Sequence, residues 1–184
     1  MTGASTQTTI KVWDPFLRVA HWMLVASVAA AWLTRHDGGR WHEWLGYAAL
    51  AVVLARIVWG WIGPRHARFG QFVRSPATIL RYARQVFAHA EPRYVGHNPL
   101  GACMIVALML TVVLVSVTGW LFTTDAYWGV EWVEELHEGF SDLLLALVGL
   151  HLAGIAFSSL RHRENLVGAM LHGTKRAPAQ NDVA

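Results

Sequence analysis

Four of the ten histidines lie within or at the ends of strongly apolar stretches, where an ionisable side chain indicates a function. They are His21, His42, His137 and His151. His137 and His151 are 14 residues apart, which in an α-helix corresponds to ~21 Å along the axis and an angular offset of only about 40°. These two side chains are therefore expected on one face of a helix, at two depths.

Histidine pairs at two depths suit two haems b stacked through a membrane. Each haem iron takes one axial imidazole above and one below the ring, so four histidines at two levels would hold both groups. Iron ligated in this way passes electrons and does not normally bind oxygen. The single cysteine, Cys103, excludes an intrachain disulfide, a cysteine-based zinc site and the covalent attachment of a c-type haem.

The elements that must position these histidines are membrane spans. The 184 residues are 54% hydrophobic and only 15% charged, against about 25% charged in an ordinary soluble domain. Four apolar runs are close to the ~20 residues that cross a bilayer, so the sequence predicts an all-α, four-helix transmembrane bundle. We place the helices at about residues 16–34, 41–63, 99–122 and 137–160.

The segments outside the spans leave no room for a second domain. Residues 1–176 are expected to form one membrane-integral domain, and residues 177–184 a flexible polar tail. Residues 64–98 are too polar to cross lipid, although a helical turn or two is expected at the membrane surface near residues 79–87. Residues 125–136 form an acidic and aromatic connection before the fourth span.

Orientation follows from the distribution of Lys and Arg. The side that holds both termini and residues 64–98 carries 12 of them, whereas the other side carries only Arg35 and Arg40. This bias predicts a multi-pass membrane protein with both termini in the cytoplasm. The net charge of +3 is then explained by the Lys and Arg residues that orient the protein in the membrane, so it does not indicate a nucleic-acid partner.

The directions of the helices match the four histidines in two pairs. The first span runs outward and starts near His21, while the second runs inward and starts at His42. The fourth span runs inward from His137 to His151. We therefore expect His42 opposite His137 at the outer level and His21 opposite His151 at the inner level.

Further residues are candidates for contacts with the haems. Arg56 is 14 residues after His42 and reaches the depth of His151, so we assign it to a propionate of the inner haem. Arg18 is a second candidate, with snorkelling to lipid headgroups as the alternative. Small residues within about one turn of the ligands would let a flat macrocycle approach the backbone: Gly46, Ser141 and Gly154.

Several short segments resemble the bacterial cytochrome b561 family, which is similar to the b-type cytochrome subunit of nickel-iron hydrogenases. The resemblance covers about residues 10–176. It lies in residues 12–22 (VWDPFLRVAHW), 41–47 (WHEWLGY), 56–60 (RIVWG), 63–69 (GPRHARF), 75–76 (SP), 96–101 (GHNPLG) and 163–170 (RENLVGAM), with Gly173 and Lys175.

The resemblance implies a four-helix bundle with two haems b, ligands on the first, second and fourth spans, and electron transfer between the quinone pool and a periplasmic partner. Its ligand positions fall on the same four histidines. An acidic outer side favours a basic periplasmic partner such as a small cytochrome c. A homodimer is left open.

Three alternatives remain at the level of sequence. Some members of the family resemble superoxide:quinone oxidoreductases, so an enzymatic activity is undecided. A non-haem metal or proton-relay bundle is supported by the spacing of Glu134 and His137 and, less well, by the reverse pair His42 and Glu43. The quinone side is also open, with His97, Asn98 and Ser75 as inner candidates and His36 or Glu138 as outer ones.

Overall fold

A computed structural model describes residues 8–36 and 39–183. Asp37 and Gly38 of the first connection lie outside the described residues, as do residues 1–7 and Ala184. Four helices are long and apolar enough to span a membrane. They are α1 (Pro15–Leu33), α2 (Arg40–Ile62), α5 (Pro99–Phe122) and α6 (Glu131–His162).

Three of the predicted spans are confirmed to within one residue, and the fourth is longer than predicted. Helix α6 begins at Glu131 rather than near residue 137, so half of the acidic connection is helical. Glu131 and Glu134 lie in its first turn, where the helix dipole stabilises negative charge. The helix ends at Arg163, which adopts a left-handed conformation.

Two of the spanning helices begin with the same capping motif. Asp14 and Asn98 are N-caps whose side chains accept hydrogen bonds from backbone N–H groups, and a proline follows each cap. Proline suits this first helical position because its missing N–H would have no partner there. The predicted start of the third span at Pro99 is therefore confirmed.

The spans pack in a series. Helix α1 packs on α2, α2 on α5, and α5 on α6. A core cluster joins Ala49 and Val53 of α2 to Met109 and Val112 of α5 and Leu144 of α6. Many large apolar side chains point away from this core, as expected for helices surrounded by lipid.

The short elements gather at one end of the bundle. Strand β1 (Thr9–Lys11) pairs antiparallel with β2 (Thr174–Arg176), which brings the two termini together. A second core cluster, which includes Trp13, Ala67, Val95 and Ala169, joins the two terminal regions to the 64–98 segment. The remaining short elements are a 3-10 turn (Arg65–Ala67), α3 (Phe69–Phe72), α4 (Pro76–Phe87) and α7 (Leu166–His172).

Two segments differ from their predictions. Helix α4 has 12 residues and starts at Pro76, where the sequence predicted only a turn or two, because Ser75 caps it. Residues 177–183 fold back on the domain where a flexible tail was expected. The carboxylate of Asp182 accepts a 2.5 Å hydrogen bond from Arg93, and the Val183 N–H donates to the carbonyl of Arg93.

A buried ion network explains why the tail is held. Arg93 also donates two hydrogen bonds to Glu164, and Lys175 lies 3.6 Å from the same carboxylate. Burial alone would raise the pKa values of Glu164 and Asp182, but the hydrogen bonds that these carboxylates accept, including those from Arg93, lower both. The network joins the segment after α4, the segment after α6 and the C-terminal segment.

Candidate functional site

The outer histidine pair is brought together. The ring centres of His42 on α2 and His137 on α6 are 6.1 Å apart, and the ring planes are almost perpendicular, at 82°. An imidazole nitrogen lies ~2 Å from a bound first-row metal ion and the ring centre ~1 Å further out, so two axial imidazoles on one ion have centres ~6 Å apart. The spacing of this pair fits axial ligation from two sides.

Backbone hydrogen bonds fix which nitrogen each ring presents. The Nδ1 atom of His42 lies 3.0 Å from the carbonyl oxygen of Ala31, and that of His137 lies 3.0 Å from the carbonyl of Val115. A carbonyl oxygen only accepts, so both Nδ1 atoms carry the proton and donate it. In the neutral ring Nε2 is then the unprotonated nitrogen, which can bind a metal.

Helix α5 supplies the surface on which the His137 ring lies. A Cβ atom at Gly119 would be 2.9 Å from Cε1 of this ring. The hydroxyl oxygen of Thr118 lies 3.3 Å from Nδ1. Sequence reasoning did not identify Val115, Thr118 or Gly119, and the only available signal was a Thr-Gly pair inside an otherwise apolar span.

The inner pair lies near the opposite end of the bundle. His21 on α1 and His151 on α6 are each partly buried. Among the described residues, their rings make no aromatic contact of the kind seen between His42 and His137, so this pairing stays a prediction. The ring of His21 also contacts Trp22 edge-on, with ring centres 5.3 Å apart.

Arg56 is held at this inner level with an unused donor. Its Nη2 atom donates to the carbonyl of Ala67 at 3.0 Å, and its guanidinium lies over Phe69 and Phe72. Its Nη1 atom is buried and has no hydrogen-bond partner. Within the described ranges no carboxylate lies within 4.0 Å of Arg56, so its charge is unpaired.

Two more buried donors are unpaired in the same region. Arg18 donates through Nη1 to the carbonyl of His172 at 3.4 Å, while its Nε atom is buried without a partner. The indole Nε1 of Trp59, which sequence reasoning did not single out, is also buried and unpaired. Arginine and indole N–H groups can only donate, and a buried donor without an acceptor costs about 1–3 kcal/mol. These three residues therefore fit an anionic group such as a haem propionate.

The small residues differ in their surroundings. A Cβ atom added at Gly46 or Gly154 would meet no atom within 4 Å, so both positions face open space. The hydroxyl of Ser141 donates to the carbonyl of His137 at 2.7 Å, inside its own helix. Gly46 and Gly154 thus leave room for a planar group.

The predicted quinone candidates have different environments. Asn98 and Ser75 are helix caps, so their side-chain oxygens already accept backbone hydrogen bonds. His97 packs between Trp13 and Phe72, and its Nδ1 is buried without a partner. Burial, helped by the positive charges of Lys175 and Arg56, lowers the pKa of His97 to about 3. The remaining candidates, His36 and Glu138, are exposed.

The end of the bundle beyond the outer histidines is acidic and aromatic. Trp128 and Trp132 are exposed there. The acidic side chains of this outer acidic face are also exposed: Asp125, Glu131, Glu134, Glu135 and Glu138. Across residues 8–36 and 39–183, no three or more His, Cys, Asp or Glu side chains are grouped so that they could hold a metal ion.

Comparisons with known proteins show which family the chain resembles. Residues 12–173 match the family model described as prokaryotic cytochrome b561. A probable Ni/Fe-hydrogenase B-type cytochrome subunit of Bradyrhizobium diazoefficiens is 22% identical over 91% of this chain and 86% of its own length. Proteins of the same description from Azotobacter vinelandii and Rhodobacter capsulatus are 26% and 25% identical, over 71% and 72% of this chain and 66% and 60% of their own. No solved structure gives a significant match.

Proposed function

Because the chain belongs to the prokaryotic cytochrome b561 family, we propose that it carries two haems b and transfers electrons between the quinone pool and a redox protein outside the inner membrane. Membership makes it a b-type cytochrome of electron transport and a multi-pass protein of the bacterial inner membrane. The number of haems, their ligands, the quinone and the outer partner belong to the proposal.

The geometry of the outer pair is the observation that carries the proposal. His42 and His137 lie on two helices, and their ring centres are 6.1 Å apart. The Nδ1–H group of each ring donates a hydrogen bond to a backbone carbonyl. Both Nε2 atoms would then be free to hold one haem iron. His21 and His151 form the equivalent inner pair. A haem held by two imidazoles supplies a one-electron carrier.

The inner haem would be oriented by unpaired donors. We assign its propionates to Arg56 and Arg18, as the sequence suggested, and add the indole N–H of Trp59. All three have a buried nitrogen without an acceptor. The open space at Gly46 and Gly154 would accommodate the macrocycles. The hydroxyl of Ser141 donates to the backbone carbonyl of His137, one turn earlier in the same helix.

Electron transfer through the bundle requires that its two ends face different sides of the membrane. We propose that the end with both termini is cytoplasmic, since its arginine excess follows the positive-inside rule. The outer acidic face would then lie in the periplasm and attract a basic redox protein such as a small cytochrome c. The same face would repel superoxide, which makes a superoxide:quinone oxidoreductase the weaker alternative.

The relatives suggest a second kind of outer partner. Those reported above are described as probable hydrogenase subunits. A hydrogenase in the periplasm could therefore deliver electrons to the outer haem in place of a cytochrome c. The direction of electron flow would then be from the outer face to quinone.

Electron exchange in vesicles tests the function. Haem-loaded protein in proteoliposomes should be reduced by an added quinol and then oxidised by a basic cytochrome c, at a rate that falls as salt is raised. Replacing Glu134 and Glu135 with lysine should slow oxidation by cytochrome c but not by a small neutral mediator. No reduction by quinol, or equal rates for the double variant and wild type with cytochrome c, would contradict the proposal.

A further inference from the structure

Helix α4 has one face that packs on the protein and one that does not. Tyr82 is buried against Tyr94, with ring centres 5.5 Å apart, and burial raises the pKa of Tyr82 to about 12. Ile79 and Val86 lie on the same side and are partly buried. This side rests on the start of α5 and the segment before it, so α4 is fixed to the end of the bundle.

The free face of α4 is an open surface. The residues that line it all come from this one helix or its C-cap: Ala77, Leu80, Arg81, Arg84, Gln85 and Ala88. At about 100° per residue, the exposed side chains of Leu80 and Phe87 form an apolar edge beside Arg84 and Arg81. Cationic and apolar chemistry therefore run side by side along the helix.

The two arginines of this face have no anionic partner. Within the described ranges, no carboxylate lies within 4.0 Å of Arg81 or Arg84. Residues 64–90 contain five arginines and no Asp or Glu. The local charge is therefore positive and would attract an anionic ligand.

We propose that this face of α4 binds an anionic phospholipid of the surrounding bilayer. Helix α4 packs on the membrane span α5 and is joined to its N-terminus by residues 88–98, so it lies near the level where lipid headgroups meet water. The headgroup phosphate contacts Arg81 and Arg84, and an acyl chain lies along Leu80 and Phe87. An acidic protein would match the charge but would leave this apolar edge uncovered.

The expected preference follows from the two charges. One arginine near an anionic lipid surface contributes about a fivefold preference over zwitterionic lipid, so two contribute about 30-fold. Both guanidinium groups are exposed, which makes the contribution dependent on salt.

Lipid titration of the haem-loaded full chain in neutral detergent tests the site. Native mass spectrometry would compare phosphatidylglycerol with phosphatidylcholine for wild type and for the double variant Arg81→Gln/Arg84→Gln. Arg35→Gln/Arg40→Gln makes the same change of charge at the other end of the bundle and is the matched control. Retained haem and helical content would show that each variant is folded.

We expect wild type and the control to prefer phosphatidylglycerol by about 30-fold and the Arg81/Arg84 variant to lose most of that preference. Leu80→Ser should weaken lipid binding but not binding of inorganic phosphate. An unchanged preference in the Arg81/Arg84 variant, or an equal loss in the control, would overturn the proposal. Inorganic phosphate or polyglutamate that bound with the same affinity as the lipid would also overturn it, because the site would then recognise a free anion or an acidic protein.

Discussion

Gly119 is the residue at which a single methyl group should remove one haem. It lies on α5 against the ring of His137, and the three atoms nearest to an added Cβ all belong to that ring and none to His42. A Cβ atom there would lie 2.9 Å from Cε1 and 3.1 Å from Nδ1 of the His137 ring. We therefore predict that Gly119→Ala disrupts the outer haem site.

The size of the effect follows from the overlap. Carbon atoms in contact are at least about 3.5 Å apart, so the ring must move by about 0.6 Å. Functional groups must be held to within about 0.5 Å, so this displacement exceeds the tolerance of the site. It also strains the hydrogen bond from Nδ1 to Val115, and losing such a supporting bond lowers metal affinity by about 10–100-fold.

Haem content and redox titration would measure this outcome. The protein should retain the inner haem and lose or weaken the outer one, with about 1–3 kcal/mol of added destabilisation from overpacking. Gly139→Ala is the matched control, because it lies on α6 near His137 and its added methyl group meets no atom within 4 Å. If Gly119→Ala kept both haems at wild-type affinity and potential, our placement of the His137 ring would be refuted.

Other predictions concern the inner haem and the ion network. Arg56→Leu should shift the midpoint potential of the inner haem or lower its content in a redox titration, and an unchanged inner haem would contradict the propionate assignment. Arg93→Gln removes the cation that donates hydrogen bonds to the buried carboxylates of Glu164 and Asp182, although Lys175 and Arg176 remain within 4.0 Å of them. Thermal unfolding should therefore show a loss of about 3 kcal/mol, at the lower end for a broken buried ion pair, while Arg163→Gln, at an exposed arginine, should change little. Because the folded-state pKa values of Glu164 and Asp182 are lowered, their contribution is complete at neutral pH and is lost below about pH 4. Hydrogen exchange of residues 174–183 should therefore accelerate in acid, and in Arg93→Gln it should already be fast at neutral pH.

The spans and the outer histidine pair could be predicted because few physical rules determine them. Apolar length located the helices, and alternating helix directions placed His42 at the level of His137. The ends were less predictable, since helix α6 extends to Glu131 through polar residues that hydropathy treats as a connection. Dipole stabilisation of those acidic residues is too weak to read from sequence alone.

Contacts between distant segments could not be predicted. The tail beyond residue 176 was predicted to be flexible because its sequence is polar, yet Asp182 accepts a hydrogen bond from Arg93, 89 residues earlier in the chain. Gly119 and Val115 support His137 from a different helix, so their roles depend on how α5 and α6 pack. The role of Trp59 also depends on packing, because only its buried, unpaired N–H in the folded chain indicates one.

The most direct test of the account is haem quantitation with redox titration on the wild type and the four single His→Ala variants. The wild type should contain two haems b per chain. His42→Ala and His137→Ala should lose one and the same haem, and His21→Ala and His151→Ala should lose the other. A wild type with a single haem, or a variant pair that loses different haems, would contradict the assignment of four histidines to two levels.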